Sequence, residues 1–366
     1  MLSQSVRVLV VDDSALMRKL IPQIIESDSS IQVVGTAMDG NFGLKKIEEL
    51  KPDVITLDLE MPGMGGLDML KEIMRRHRLP VIVVSSHSTE GASITLKALS
   101  MGAFDFVAKP RDVSARMPEI ARDLIGKIKA AAQSHLVHIP SVPQSLHSSG
   151  KAVPDVKKQP ARFIAVGVST GGPQALQYIL AQLPAHFPGT VVVVQHMPEG
   201  FTEMFARRLD ECCAVAVKEA QSGDLLLPGR ILICPGNRHI RMKRLPLGDI
   251  VVLGDEATVN GHRPSVDVLF QSLAIDFGQN GTAVLMTGMG DDGAEGMGKV
   301  KAAGGMTIAQ SENSCVVFGM PKAAIERGFA LRIVELEALA NTLQVLCMPN
   351  RTGSALPGKS AGAGKL

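Results

Sequence analysis

The sequence predicts two α/β domains, each built on a mostly parallel sheet, with a linker between them. The chain has 366 residues, which is more than one hydrophobic core usually organises. Short apolar runs alternate with amphipathic segments in both halves, and a stretch rich in proline and serine separates the halves. Charged residues make up 20% and hydrophobic residues 45% of the chain, a balance that excludes a mostly disordered protein.

Five apolar runs and five amphipathic segments alternate in the first half. The predicted strands lie at 6–11, 31–37, 54–57, 81–84 and 105–107. The predicted helices lie near 14–27, 40–49, 66–76, 91–100 and 114–132. Parallel strands need crossover connections, so this alternation indicates a doubly wound sheet, with its functional residues at the carboxyl ends of the strands.

The alternation stops after the fifth helix and resumes in the second half. The predicted strands there lie at 163–168, 190–195, 230–234, 282–287 and 306–310. Segments 239–243 and 250–253 flank a turn that holds Pro246 and Gly248, and they predict an inserted β-hairpin. We therefore predict a first domain at 1–133, a flexible linker at 134–161, a second domain at 162–349 and a disordered tail at 350–366.

The composition of the chain also limits which binding partners and which cellular compartment we expect. A formal net charge of +2 gives no support to a nucleic-acid partner. The five cysteines lack metal-ligand spacing and predict neither a disulfide framework nor a zinc site. The sequence shows no apolar run long enough to span a bilayer and no secretory signal, so we expect a cytoplasmic protein that is not inserted in a membrane.

Acidic side chains follow two strands of the first half. Asp12 and Asp13 come after the first strand and Asp58 after the third, so three carboxylates converge at one sheet edge. Two such charges 4 Å apart repel by roughly 4 kcal/mol at an effective dielectric of 20. An oxygen-only cluster of this kind suits Mg²⁺. With Ser85 after the fourth strand and Lys109 after the fifth, the cluster has the groups that phosphoryl transfer to a carboxylate requires.

The motifs VVDDS (10–14), LDLEMPG (57–63), the end of the fourth strand and AKP (108–110) resemble those of response-regulator receiver domains. This resemblance implies a flavodoxin-like fold in which Asp58 accepts a phosphoryl group from a chemotaxis histidine kinase. It implies that Asp12 and Asp13 organise Mg²⁺ with Asp58 and the Glu60 carbonyl, while Ser85 and Lys109 sense the phosphate. By itself, an acidic residue after a strand, such as Asp13, is equally typical of a helix N-cap.

A glycine-rich turn, GVSTGG at 167–172, joins a strand to a helix in the second domain. Such a turn is typical of a phosphate or dinucleotide cradle, or of a nucleophile turn that presents Ser169. His196 closes the neighbouring strand, and Asp291 and Asp292 follow a third strand. Serine needs an imidazole as base, and the imidazole needs a carboxylate to orient it, so these strand ends favour the nucleophile.

The segments GVSTGGP, VVQHMP, HRPSVDVLF and LMTGMGDDGAEG resemble those of the CheB protein-glutamate methylesterases. The resemblance implies a phosphorylation-activated serine esterase that releases methanol from glutamate methyl esters on chemoreceptors and also deamidates certain glutamines, with no cofactor for hydrolysis. It implies Ser169 as nucleophile, His196 as base and Asp292 as orienting carboxylate. The N–H groups of Thr170 and Met289 would hold the oxyanion. Between Asp291 and Asp292, the assignment depends on motif alignment alone.

Other functions stay open at this point. A DNA-binding output is disfavoured, because the second half shows no compact basic helix-turn-helix. A phosphorylation-controlled scaffold with an inactive hydrolase site would carry the same motifs. The hairpin carries a basic run that is typical of a solvated face or of a contact for an acidic receptor; it comprises Arg238, His239, Arg241, Lys243 and Arg244. We also expect the unphosphorylated first domain to cover the edge that carries Ser169 and His196.

Overall fold

Two separate parallel sheets organise the chain in the computed structural model, which describes residues 5–86, 88–109, 117–134 and 154–348. The predicted tail at 350–366, most of the predicted linker and the start of the predicted fifth helix lie outside the described residues. The predicted fold class is confirmed in both halves. Among the described helices, none has the length and apolar character needed to cross a bilayer.

The first sheet has five parallel strands in the order β2-β1-β3-β4-β5. Its strands are β1 (Val6–Val11), β2 (Ile31–Ala37), β3 (Val54–Leu57), β4 (Val81–Ser85) and β5 (Asp105–Ala108). Its helices are α1 (Ala15–Ile25), α2 (Gly40–Leu50), α3 (Gly66–Arg76), α4 (Thr89–Ser100) and α5 (Met117–Gln133). Helices cover both faces, which is why the central strands are mostly apolar.

Three helices of the first domain begin at a side chain that caps them. Ser14, Asp39 and Ser88 each accept a hydrogen bond from a backbone N–H two or three residues into α1, α2 and α4. Such a bond satisfies one of the free donors of the first turn and typically stabilises the helix by about 1 kcal/mol. These caps fix where each helix leaves the carboxyl edge of the sheet.

The second sheet has seven parallel strands in the order β14-β13-β12-β6-β7-β9-β8. Its strands are β6 (Phe163–Val168), β7 (Thr190–Gln195), β8 (Ala216–Glu219), β9 (Arg230–Ile233), β12 (Gly281–Leu285), β13 (Met306–Gln310) and β14 (Arg332–Val334). The predicted hairpin is a separate antiparallel pair, β10 (His239–Lys243) and β11 (Ile250–Gly254). The helices are α6 (Gly172–Leu180), α7 (Phe201–Cys212), α8 (Val266–Phe277), α9 (Ala294–Ala302), α10 (Met320–Glu326) and α11 (Leu336–Cys347).

The sequence analysis missed the two edge strands of this sheet. In β8 only Val217 is buried, and in the three-residue β14 no residue is buried. A central parallel strand is apolar because helices cover it on both faces, whereas an edge strand has no such requirement. The sequence of an edge strand therefore carries little of the signal that reveals the other strands.

Strand order determines where the site forms. β6 lies between β12 and β7 at the centre of the sheet, so the carboxyl ends of these three strands are adjacent. The chain continues from β6 to β7 on one side and reaches β12 on the other, which makes β6 a topological switch point. Crevices at such points are the usual binding sites of open α/β sheets.

The two domains pack against each other through α4 and β5 of the first and α6 and α7 of the second. Phe106 of β5 stacks on Phe201 of α7, with ring centroids 4.8 Å apart. The Gln174 side chain of α6 donates hydrogen bonds to the carbonyl oxygens of Leu99 and Ala103. The interface thus combines an aromatic contact with polar bonds to the end of α4.

We expect Gly66→Ala to destabilise the first domain. A Cβ there would lie 2.2 Å from the Asp58 carbonyl oxygen and 2.6 Å from Leu59 Cα, both of which are backbone atoms. Overpacking of this kind costs about 1–3 kcal/mol. Thermal unfolding of the intact chain measures the loss, and Gly65→Ala is the matched control, because its nearest neighbour, the Met61 carbonyl oxygen, lies 3.9 Å from the new Cβ. Equal midpoints for the two variants would contradict this account.

Candidate functional sites

The acidic cluster of the first domain forms at the carboxyl ends of β1 and β3. Carboxylate oxygens of Asp12, Asp13 and Asp58 all lie within 4.8 Å of one another. Asp12 and Asp58 are buried, and Asp13 is exposed. The Lys109 ammonium lies 2.6 Å from Asp58 Oδ2 and 3.1 Å from Asp12 Oδ2. The four predicted residues are therefore brought together, with a lysine balancing part of the negative charge.

Burial and charge act against each other in this cluster. Burial raises the pKa of Asp12, and the nearby ammonium of Lys109 offsets only part of that effect. Burial alone would lower the pKa of Lys109, but its hydrogen bond to Asp58 and the charges of Asp58 and Asp12 raise it. The cluster is thus short of positive charge, which is the condition that favours binding of a further cation.

The donor set fits Mg²⁺. The three side chains offer carboxylate oxygens, the ligands this ion prefers. Asp12 Oδ2 is buried and accepts no hydrogen bond of regular geometry from the described residues. Asp12 and Asp58 are fixed by backbone donors, since the N–H of Ser14 bonds Asp12 Oδ1 and the N–H of Glu60 bonds Asp58 Oδ1.

Two predicted residues near the cluster make other contacts. Ser85 lies at the end of β4, but its hydroxyl donates to the Gly91 carbonyl of α4 at 3.2 Å rather than to Asp58. The Glu60 side chain accepts a hydrogen bond from Ser86 Oγ at 3.3 Å. A role for Ser85 in sensing phosphate and a role for the Glu60 carbonyl as a ligand stay predictions.

We expect Lys109→Met to raise the affinity of the cluster for Mg²⁺ at least fivefold, and Asp12→Asn to lower it more than tenfold. Lys109 shares the carboxylate oxygens that the ion would use, and removing one like charge a few ångströms away is worth about 1 kcal/mol or more. Calorimetric titration of the intact protein with MgCl₂ measures both. Lys46→Met, which removes a lysine bonded to the Thr36 carbonyl, is the control. Weaker Mg²⁺ binding by Lys109→Met than by the native protein would refute competition between the lysine and the ion.

In the second domain, the turn after β6 holds Ser169 in a fixed position. The Ser169 N–H donates to the Thr287 carbonyl at 3.0 Å, and the Ser169 carbonyl accepts from the N–H of Gly172 at 2.8 Å. The buried Gln195 side chain donates to the Ser169 carbonyl at 3.0 Å and to the His196 carbonyl at 3.2 Å. One amide therefore ties the end of β6 to the end of β7.

His196 and Asp292 form a hydrogen-bonded pair beside this turn. His196 Nε2 lies 2.8 Å from Asp292 Oδ2, and the side chains are 10% and 0% exposed. The neighbouring Asp291 lies outside the pair, where it binds Asn260 Nδ2 at 2.9 Å and Arg327 at 2.7 Å. The geometry therefore pairs His196 with Asp292 rather than with Asp291, a choice that the sequence supported only by motif alignment.

The Asp292 carboxylate lies at the N-terminus of α8. It accepts hydrogen bonds from the N–H of Val266 at 2.7 Å, the N–H of Asp267 at 3.2 Å and the Ser265 hydroxyl at 2.8 Å. Burial alone would raise the pKa of Asp292, but the bonds from His196, Val266 and Ser265 hold it below its ordinary value. The adjacent Asp267 behaves oppositely, because burial raises its pKa to about 6. Of the two carboxylates, Asp292 therefore keeps its negative charge to the lower pH.

Sequence reasoning gave no role to Ser265, Gln195 or His262. Ser265 precedes an apolar helix, which is the usual pattern of an N-cap. Its hydroxyl, however, accepts no hydrogen bond from the N–H groups of that helix and instead donates one to Asp292. The His262 ring stacks on His196 with centroids 3.9 Å apart and planes 9° apart. His262 and Ser265 fall in the segment HRPSVDVLF, so the resemblance marked the segment without indicating these contacts.

The arrangement leaves reactive groups free at one edge. His196 Nδ1 is buried and has no hydrogen-bond partner among the described residues. The backbone N–H groups of Thr170 and Met289 donate to no acceptor among the described residues. Within the same residues, no hydrogen bond joins Ser169 Oγ to His196. A hydroxyl, an oriented imidazole and two free N–H groups are the components of acyl transfer through a serine nucleophile.

Comparisons with known proteins agree with both halves of this description. A family model described as CheB methylesterase matches residues 164–343, and one described as response regulator receiver domain matches residues 8–120. Protein-glutamate methylesterase/protein-glutamine glutaminase 2 of Koribacter versatilis (strain Ellin345) is 59% identical over 356 residues, which cover 95% of this chain and 98% of the relative.

The chain belongs to the CheB methylesterase family. Protein-glutamate methylesterase/protein-glutamine glutaminase 1 of Geobacter metallireducens (strain ATCC 53774 / DSM 7210 / GS-15) is 46% identical and covers 90% of this chain and 92% of its own length. The crystal structure of the Thermotoga maritima CheB methylesterase catalytic domain matches with a TM-score of 0.50 and 40% identity, over 50% of this chain and 98% of that chain. The family predicted from the motifs is confirmed.

The receiver lies against the two residues predicted to hold the oxyanion. A Cβ at Gly126 of α5 would lie 2.6 Å from Met289 Cε, so the methionine packs directly on the receiver helix. Burial raises the pKa of Asp105 in β5, whose carboxylate lies 3.7 Å from Lys127, and the nearby Thr170 side chain offsets a small part of that rise. The receiver thus packs on the edge of the second domain that carries Ser169.

Proposed function

We propose that this chain is a phosphorylation-activated serine esterase that hydrolyses glutamate methyl esters on chemoreceptors and releases methanol, and that it deamidates receptor glutamines by the same route. The observation that carries the proposal is the His196–Asp292 pair beside the Ser169 turn, with the free N–H groups of Thr170 and Met289 at the same edge. The names of the relatives and the receiver domain support the same function.

The first half of the reaction forms an acyl-enzyme. Because Asp292 engages Nε2 of His196, the free Nδ1 is the nitrogen that takes the proton of Ser169 Oγ. The serine oxygen bonds to the ester carbonyl carbon, and the carbonyl oxygen becomes an oxyanion held by the Thr170 and Met289 N–H groups. The intermediate collapses, the carbon–oxygen bond to methoxide breaks, and the proton on His196 completes methanol.

The second half returns the free enzyme. Water attacks the acyl carbon while His196 Nδ1 takes its proton, and collapse of the second intermediate gives glutamate and reprotonates Ser169. A glutamine substrate follows the same steps with ammonia as the leaving group. Each N–H donor to an oxyanion is worth about 2.7–4 kcal/mol in such chemistry, so the two backbone donors matter as much as the side chains.

Control resides in the receiver cluster. Asp58 accepts the phosphoryl group, a histidine kinase of the chemotaxis system supplies it, and Ser85 and Lys109 respond to it. Asp12, Asp13 and Asp58 would hold Mg²⁺ with the Glu60 carbonyl, and the ion would supply positive charge to neutralise the transferring phosphoryl group. The enzyme acts in the cytoplasm, and ester hydrolysis itself uses no cofactor.

Coupling runs through the domain contact. We place the receiver at 1–133, a linker at 134–161, the catalytic domain at 162–349 and a tail at 350–366. The packing of Gly126 on Met289, with the bonds of Gln174 to the end of α4, supports a receiver that restricts substrate access when unphosphorylated. Phosphorylation of Asp58 weakens this packing, and each tenfold of activation requires about 1.4 kcal/mol of differential stability.

The decisive test is methanol release from methylated chemoreceptor membranes, with and without Mg²⁺ and a small-molecule phosphodonor, and with Ser169→Ala as the blank. We expect release that accelerates with the phosphodonor. No release above the blank under either condition would reject the esterase and favour a phosphorylation-controlled scaffold.

In the same assay we expect Asp292→Asn to lower kcat roughly 10³- to 10⁴-fold, because the imidazole loses the anion that orients it and stabilises its charge. Asp291→Asn is the matched control. Asp291 binds Asn260 and Arg327 rather than His196, so we expect it to stay within about threefold of the native rate. Equal losses in the two variants would contradict the assignment of Asp292.

We expect Gln174→Ala to raise the activity of the unphosphorylated enzyme about fivefold and to reduce its activation by phosphodonor. The change removes the two hydrogen bonds to the end of α4, worth together about 1 kcal/mol or more. Gln177→Ala on the same helix is the control, since the Gln177 side chain makes no hydrogen bond within the described residues. An unchanged basal rate in Gln174→Ala would show that this contact does not restrain the enzyme.

A further inference from the structure

The His262 imidazole lies flat against the His196 imidazole. Their centroids are 3.9 Å apart and their planes 9° apart, which is the geometry of two stacked rings in contact. His262 is half-buried and lies in the segment between β11 and α8. Apart from Asp292, it is the only described side chain with a hydrogen bond or ring contact to the His196 ring.

The segment that carries His262 is braced on several sides. His262 and Val259 exchange two backbone hydrogen bonds of 3.0 Å, and Asn260 Nδ2 donates to Asp291 Oδ1 at 2.9 Å. The Arg263 guanidinium donates to Asn237 Oδ1 at 2.7 Å and to the carbonyl oxygen of Glu256 at 3.0 Å. A ring held by such a segment has a fixed position, so it constrains what it packs against.

His262 stays uncharged at neutral pH. Burial, and then the neighbouring His196, lower the pKa of His262 to about 4, against the charges of Asp292, Asp123 and Asp291 that face it. Asp123 comes from α5 of the receiver and the others from the catalytic domain. A neutral ring face attracts a cation, whereas a second imidazolium at this distance would repel one.

We propose that His262 is a positioning residue, whose stacked ring keeps His196 in the plane that holds Nε2 on Asp292 and leaves Nδ1 open for the serine proton. The inference rests on the proposed function. A hydrogen bond at one nitrogen leaves the imidazole free to swing about that bond, and the stacked ring removes this freedom. The neutral face also accommodates the positive charge that His196 gains when it takes the proton.

The experiment compares three substitutions in the intact, phosphodonor-treated protein. His262→Phe keeps a flat ring without a titratable nitrogen, whereas His262→Ala and His262→Gln remove the ring. Gln retains polarity and length, so it carries the comparison if the alanine variant has a lowered unfolding midpoint. His186→Ala, at an exposed histidine, is the matched control. Methanol release gives kcat and KM as a function of pH.

We expect His262→Phe to keep kcat within about threefold and to keep the acid limb of its pH profile, because His262 has no charge to lose there. We expect His262→Ala and His262→Gln to lower kcat roughly 10- to 100-fold with KM within about twofold, since a misdirected base slows chemistry rather than binding. Native kcat in both ringless variants would overturn the inference. A loss in His262→Phe as large as in His262→Ala would overturn it as well.

A second measurement separates this inference from the proposed function. In protein labelled with ¹⁵N-histidine, the proton on His196 Nε2 is protected from exchange while the bond to Asp292 is held, and a His196→Gln spectrum assigns it. We expect the signal in the native protein and in His262→Phe, and its loss by exchange in His262→Ala and His262→Gln. If the native protein releases no methanol, the proposed function fails. If the His196 Nε2 proton is equally protected in all variants, the role of His262 is refuted, whatever the methanol assay shows.

Discussion

The arrangement of His196 beside Ser169 depends on one buried charge, the carboxylate of Asp292. Burying an unpaired carboxylate is costly, and here the first N–H groups of α8, the Ser265 hydroxyl and His196 Nε2 compensate for it. The partial positive charge of the helix N-terminus adds to these bonds. Because α8 fixes the anion, the direction of the His196 ring follows from the position of α8, which packs against α9, β10 and β6.

Both sites use the carboxyl edge of a parallel sheet, but they balance their negative charge differently. In the receiver, Asp12 and Asp58 share the ammonium of Lys109, and Asp12 Oδ2 lacks a regular hydrogen bond. Such a cluster can exchange one cation for another and accept a phosphoryl group. In the catalytic domain, fixed backbone donors satisfy Asp292, so its charge serves only the histidine. The same architecture therefore yields a switch in one domain and a constant electrostatic environment in the other.

The domain contact joins these sites because it lies against Thr170 and Met289, the two residues proposed to hold the oxyanion. Met289 packs on Gly126, and the Thr170 side chain lies near Asp105 of the receiver. A change in the receiver would therefore reach the two turns proposed to stabilise the oxyanion, which adjoin Ser169. Asp123 of α5 also faces His262, so the receiver contributes to the electrostatic surroundings of the stacked histidines.

From the amino-acid sequence alone, we could predict the central strands, the order of the two domains and the strand ends that carry Asp58, Ser169 and His196. These features are visible because a strand buried on both faces must be apolar, and its apolar run ends where the polar residues begin. It did not reveal β8 and β14, whose edge positions relax that requirement. Only the tertiary structure separated Asp292 from Asp291, directed the Ser85 hydroxyl to α4 and stacked His262 on His196. Local sequence specifies which side a strand buries, whereas contacts between distant segments depend on how helices pack, and no local pattern encodes that packing.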